Sequence, residues 1–203
     1  MPAKKSRSQT PAPAVPLYQV KITLAGSSPP IWRRLVVRKN LPLDLLSSVI
    51  QITMGWEGCH LHQFITGTTR ATRVYYGVTD PDFGSVDEDI LDQRDYTLAQ
   101  LAPAAKRKFR YEYDFGDSWE HEVVVEKTLP PDPAFKHSLC LAGANACPPE
   151  DCGGLSGFYR LLDFLADPNN PEHEEMRDWV EEDWNPAAFD CERVNAGLGE
   201  FKA

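Results

Sequence analysis

The feature that most constrains this chain is a two-residue alternation of apolar and polar side chains that recurs in widely separated segments. Between Leu17 and Leu24, Tyr18, Val20, Ile22 and Leu24 fall on one side and Gln19, Lys21 and Thr23 on the other, as in a strand with one buried face. The period returns at 109–115, where Phe109, Tyr111, Tyr113 and Phe115 share a face, and at 119–125, where Trp119, His121, Val123 and Val125 do. The intervening Asp114-Phe115-Gly116-Asp117-Ser118 reads as a hairpin turn, with Gly116 expected in the left-handed conformation. A sheet built from such strands buries one face and needs a second layer over it.

Helical spacing supplies that layer. Leu43, Leu46, Val49, Ile50 and Met54 form a stripe, with Asn40 expected as N-cap, Pro42 in the first turn and Gly55 as the stop. A short helix is expected at Thr97–Leu101. Phe158, Leu161, Leu162 and Leu165 form another stripe that ends at Pro168, and Asn170-Pro171 and Asn185-Pro186 are expected to open two further helices. Strands dominate the first two thirds and helices the last, so the expected class is α+β: a single domain, mainly an antiparallel sheet packed with helices. With 203 residues and 42% hydrophobic content the chain suits one domain over residues 17–203. Residues 1–16, rich in Pro, Ala and Ser, read as a disordered basic tail. Residues 78–95, with Asp80, Asp82, Asp87, Glu88 and Asp89, read as an acidic surface loop, and 140–154 as irregular.

Charge restricts the partners. The net charge is −9, and Lys4, Lys5 and Arg7 of the tail have no acid beside them, which leaves −12 for residues 17–203. A surface of that sign repels phosphate backbones, so nucleic acid is disfavoured as a partner; a DNA-binding reading would rest on the tail and on the run Lys106, Arg107, Lys108. No stretch is long and apolar enough to span a bilayer, and no apolar segment follows the basic N-terminus as in an export signal. Five cysteines, an odd number in a chain of this kind, suit reduced thiols or a metal and a cytoplasmic location.

Two constellations carry the chemistry. His60 and His62 at strand spacing, Asp114 and Asp117 on the hairpin turn, and His121 on the inner face could hold one divalent ion, and water on that ion would make a hydrolytic nucleophile. Satisfied polar residues and self-bonded turn acids are the competing account of the same positions. Cys140, Cys147 and Cys152, with Cys191 or Cys59 as a fourth ligand, could form a structural zinc site, although their spacing is not that of a zinc knuckle. Zinc is therefore the first cofactor to consider. In Ile31–Arg38, Arg33 shares a face with Ile31, Leu35 and Val37 and Arg34 with Trp32 and Val36; an arginine among apolar neighbours needs an anion, and Glu150 or Asp151 in Cys147-Pro148-Pro149-Glu150-Asp151-Cys152-Gly153-Gly154 would serve. Trp56 and Trp119 supply flat contact area, so Arg33, Arg34, Trp56, His60, His62, Asp114, Asp117, Trp119, His121, Glu150 and Asp151 are the ligand-binding candidates. Asp114-Phe115-Gly116 spells the kinase magnesium motif without the phosphate loop or catalytic loop that would give it meaning, and no P-loop, dinucleotide fingerprint or nucleophile elbow occurs.

Pro30-Ile31-Trp32-Arg33-Arg34, Met54-Gly55-Trp56, His60-Leu61-His62-Gln63-Phe64, the run Tyr111 to His121 and Cys147 to Gly154, in this order, resemble the plasmid pRiA4b ORF-3-like family over about Tyr18 to Leu198. The resemblance implies a compact α+β domain and no established activity. Some similar proteins carry a resolvase-like label (TnpR) as passengers of insertion elements. Strand exchange needs a nucleophilic Ser or Tyr amid several arginines, and Tyr111 and Tyr113 have only Arg110 close by in sequence. The residues thus favour a ligand- or partner-binding domain, with a metal-dependent hydrolase and a DNA-associated accessory protein as alternatives.

Overall fold

A computed structural model describes residues 14–79, 90–180 and 184–201. Its strands are β1 (Leu17–Leu24), β2 (Trp32–Arg38), β3 (His62–Thr66), β4 (Val74–Gly77), β5 (Ile90–Asp92), β6 (Lys108–Tyr113), β7 (Trp119–Leu129) and β8 (Leu139–Ala144). They form one sheet in the order β5-β4-β3-β6-β7-β1-β2-β8, antiparallel throughout except for the β4–β5 pair. The helices among the described residues are α1 (Leu43–Met54), α2 (Leu98–Leu101), α3 (Gly154–Ala166), α4 (His173–Trp179) and α5 (Cys191–Glu200). The chain is an α+β protein.

The alternation of β1, β6 and β7 sets the core. Tyr18, Val20, Ile22 and Leu24 meet Phe109, Tyr111, Tyr113, Trp119, Val123 and Val125 on one buried face. Register places Tyr111 opposite both Phe64 and His121, and Tyr113 opposite Trp119 and His62, which concentrates aromatic rings at the β3–β6–β7 centre. Leu43, Leu46, Val49, Ile50 and Met54 of α1 join this core, as do Phe158 of α3 and Leu198 of α5. Each such side chain contributes about 1.5–3 kcal/mol of transfer free energy. The other sheet face is polar: Gln19 and Arg34 both bond Glu126, and Lys21 and Arg34 lie over the Trp32 ring.

Several local expectations are corrected. The N-cap of α1 is Pro42, whose carbonyl accepts the Leu46 N–H at 2.9 Å, and not Asn40; Gly55 does end the helix, at φ 94°. The stretch after α1 enters the sheet only at His62, so His60 lies outside β3. Residues 90–92 pair with β4 instead of continuing a loop, while the acidic residues 80–89 lie outside the described residues, as do residues 1–13 of the tail. The start of the 140–154 stretch, expected to be irregular, belongs to an edge strand, Leu139–Ala144, that buries Cys140 and exposes Leu139 and Leu141. Asn185-Pro186 makes only a turn; the last helix starts at Cys191, capped by Asp190, which accepts from Glu192 N and Arg193 N.

Candidate functional site

The turn between β6 and β7 is built around its acids. Asp114 and Ser118 take left-handed conformations (φ 53° and 54°), and Gly116 does not, contrary to expectation. Aspartate tolerates that region because its carboxylate can bond the local backbone. Here Gly116 N donates to Asp114 Oδ1 at 2.9 Å, Ser118 N to the Asp114 carbonyl at 2.6 Å, and Asp114 N to the Leu61 carbonyl at 2.9 Å. Oδ1 is thereby engaged, and Oδ2 lies 3.8 Å from His60 Nε2. Asp117 turns the other way and accepts from Gly153 N at 3.0 Å. Gly154, at φ 67°, packs so closely that a Cβ would lie 2.6 Å from the Asp117 carbonyl oxygen. The 147–154 loop is therefore latched onto the hairpin.

A second latch comes from residues 55–61. Trp56 is buried, stacks on Tyr113 with ring centres 5.1 Å apart, and donates from Nε1 to the Pro148 carbonyl at 2.9 Å. Glu57 N donates to Glu150 Oε1 at 2.8 Å, and the Tyr113 hydroxyl donates to the same carboxylate, 3.0 Å from each oxygen. Burial and the adjacent Glu150 carboxylate push the Tyr113 phenol well above its usual range, so it stays a proton donor. Cys59 Sγ lies 3.6 Å from Glu150 Oε2.

His60 is the centre of this arrangement. Its Nε2 lies 3.2 Å from Asp151 Oδ1 and 3.3 Å from Glu150 Oε2, with Asp114 Oδ2 just beyond. Asp151, also left-handed at φ 57°, has a side chain 71% exposed and forms the outer wall. Leu61 and Phe115, each a chain neighbour of a site residue, are about half exposed. The Asp114 and Asp151 ligand atoms lie within 4.8 Å of one another. Two carboxylates that close repel by about 1–3 kcal/mol for effective dielectrics between water and a protein surface.

The remaining candidates lie elsewhere. His62 Nε2 bonds Gln93 Oε1 at 2.9 Å against the Tyr111 and Phe64 rings, and burial lowers its pKa. His121 is fully buried, bonds the Tyr111 carbonyl through Nδ1 at 3.3 Å, and is pushed down to about 4 by burial. Its ring meets Trp56 edge-on, and Trp119 packs beside Trp56 as core. Each of the three imidazoles thus has its own surroundings, because His60 sits before the strand and His121 beneath it. Arg33 is buried without a carboxylate: its guanidinium donates to the carbonyls of Thr53, Trp32 and Ala144 and lies 4.2 Å from the Phe189 ring centre. Arg34 pairs with Glu126 on the opposite face, so neither arginine takes Glu150 or Asp151 as the sequence suggested. All five cysteines are free; Cys140 and Cys147 are buried, and burial raises Cys140, Cys147 and Cys152 to about 12. Among the described residues no three of the cysteines bring ligand atoms together. Lys108, in the basic run, pairs with Glu122. Tyr113 and Glu57 were missed as site residues; the inward position of Tyr113 next to the turn was the available signal.

A match to the plasmid pRiA4b ORF-3-like protein family runs over residues 16–193. The chain belongs to that family. A relative from Sinorhizobium fredii (strain NBRC 101917 / NGR234), "Uncharacterized protein y4hQ", is 33% identical over 188 residues, 92% of this chain and 93% of its own length. The crystal structure of "Protein of Unknown Function MM3350" from Methanosarcina mazei Go1 is similar with a TM-score of 0.76 and 29% identity, covering 88% of this chain and 97% of that one. The fold of the Methanosarcina mazei protein is therefore shared across nearly the whole of both chains, and neither of these proteins is named for an activity. No helix among the described residues of this pRiA4b ORF-3-like protein is long and apolar enough to cross a membrane.

Proposed function

We propose that the protein is a binding domain whose site, formed by the 55–61 loop, the β6–β7 turn and the 147–154 loop, takes a ligand presenting positive charge. One observation carries this reading. Asp114 of the β6–β7 turn and Glu150 and Asp151 of the 147–154 loop converge on His60, and among the described residues it is their only ion-pairing partner. The Asp114 and Asp151 carboxylates, with Asp114 and Glu150 fixed by backbone amides and a phenol, are organised for a cation, since bringing it in relieves their repulsion. The half-exposed Leu61 and Phe115, next in the chain to His60 and Asp114, offer the same ligand apolar surface. The chain's acidity and its free thiols support a cytoplasmic protein that does not act on nucleic acid.

The test is thermal unfolding, with intrinsic fluorescence from Trp56 on Tyr113, titrated with calcium, manganese and spermidine at constant ionic strength. A saturable rise is expected for at least one cation, equivalent to about 2.7 kcal/mol at a hundred times its Kd, and lost in Glu150→Gln/Asp151→Asn. An equal response in that double variant, or saturation by inorganic phosphate and by none of the cations, would refute the reading.

A further inference from the structure

Resting on that reading, we infer that the cation is a first-row divalent metal ion of the manganese-to-zinc class, held by His60 Nε2 together with oxygens of Asp151 and Asp114, whose ligand atoms all lie within 4.8 Å of one another. The first support is the imidazole itself. Nε2 is cut off from solvent and has no hydrogen-bond partner among the described residues, although three carboxylate oxygens lie 3.2, 3.3 and 3.8 Å away. A charge-assisted hydrogen bond from Nε2 to one of these acids would run along the N–H direction at roughly 2.7–2.9 Å, and neither contact has that geometry. Ligands that share an ion are spaced differently: bonds of about 2.0–2.2 Å place neighbouring donor atoms roughly 3.0–3.5 Å apart, the edge of a tetrahedron or octahedron. The separation to Asp151 falls on that edge and Asp114 is a few tenths of an ångström outside it, while Glu150, 3.3 Å from Nε2, stands apart from the two aspartates and is not a donor to the same ion.

The second support is how the oxygens are held. In Asp114 one oxygen is fixed by an amide, and the other faces the imidazole. In Glu150 the amide of Glu57 fixes Oε1, the Tyr113 hydroxyl spans both oxygens, and Oε2 faces His60. For Asp114 this is the arrangement in which an outer partner orients a metal ligand, and Glu150 adds fixed negative charge beside the ion. Asp151 closes the site from the solvent side on an exposed side chain, leaving room for water or a ligand atom on the ion. The donor set decides the class. One imidazole nitrogen with two carboxylates suits manganese, iron(II) or zinc better than calcium or magnesium, which favour all-oxygen shells, and lacks the thiolates of a structural zinc site. His62 and His121, already bonded through other partners, take no part.

The full chain, stripped with chelator and dialysed, is titrated with manganese by EPR and with zinc against a chromophoric indicator. One equivalent of each is expected to bind, and the bound manganese should show the ¹⁴N modulation of a coordinated imidazole in pulsed EPR. That modulation should persist in His62→Gln and disappear in His60→Gln, with affinity at least tenfold weaker in His60→Gln and in Asp151→Asn. Asparagine keeps the left-handed backbone of Asp151 and its exposure, so the second variant tests the ligand set even if His60→Gln does not fold. Bound manganese without ¹⁴N modulation, or unchanged affinity in Asp151→Asn, overturns the inference. Calcium or spermidine binding that needs Glu150 while manganese and zinc do not bind would overturn the metal and leave the cation reading standing; no binding by any of the four removes both.

Discussion

His121 makes the acid stability of this protein predictable. Its imidazole is fully buried against the Trp56 and Tyr111 rings, and burial pushes it down to about 4 from an ordinary value of 6.5. The unfolded chain therefore binds a proton below pH 6.5 that the folded chain refuses until about pH 4. Stability from the neutral imidazole is complete above pH 6.5, falls as pH drops through that window, and changes no further below it. The interval corresponds to about 3 kcal/mol. With a urea m-value of about 2 kcal/mol/M, that is a midpoint shift of roughly 1–1.5 M. Carboxylates titrate in the same range, so the quantity to read is the difference between the wild type and His121→Leu, an apolar replacement of similar size without a titrating group. Urea unfolding by tryptophan fluorescence at pH 7.5 and 4.5 should show the wild type losing about 2–3 kcal/mol more than the variant. The offset at pH 7.5 is irrelevant, because a packing change contributes equally at both pH values. Parallel losses in the two proteins would refute the argument and mean that His121 is charged, or hydrated, in the folded state.

Three further outcomes follow from the geometry. Arg33→Lys should destabilise by about 2–4 kcal/mol in urea unfolding, since an ammonium cannot reach three carbonyls and lie on Phe189 together, whereas Arg34→Gln on the half-exposed pair with Glu126 should cost less than about 1 kcal/mol. Gly154→Ala, at φ 67° and against the Asp117 carbonyl, should destabilise by about 2–4 kcal/mol and weaken manganese binding, measured on the same preparation. Alkylation with iodoacetamide at pH 8, mapped by mass spectrometry, should modify the exposed Cys59 first and leave Cys147 unmodified until denaturant is added.

The sequence discloses the sheet better than the site. Alternation with large apolar residues identifies β1, β6 and β7 directly, because β1 and β6 bury one face along their length and β7 does so from Trp119 to Val125. β8 escapes notice: in Leu139–Ala144 only Cys140 is buried, and the small residues around it carry no period. The helix that Asn185-Pro186 seemed to announce begins later, at Asp190, since an aspartate that bonds two amides caps a helix better than an Asn-Pro pair opens one. The paired spacing of His60 and His62 suggests one face, yet the strand begins between them, and two residues cannot reveal where pairing starts. Glu150 and Asp151 stand out in the sequence, but their partner does not: backbone carbonyls satisfy Arg33, and carbonyls leave no mark on composition. That an imidazole claims those acids depends on contacts across some 90 residues, which only the folded chain supplies.

The segment bearing Glu150 and Asp151 leaves the sheet at its β8 border and travels back past β2 and β1 to reach the β6–β7 turn. It works as a buckle across the domain's open end, fastened by Trp56 at one hole and by Asp117 at the next. A cation bound at His60, as proposed, would tighten that buckle, so occupancy and the firmness of this end of the fold would rise and fall together. Undoing it would bare the Trp56 ring well before the strands part.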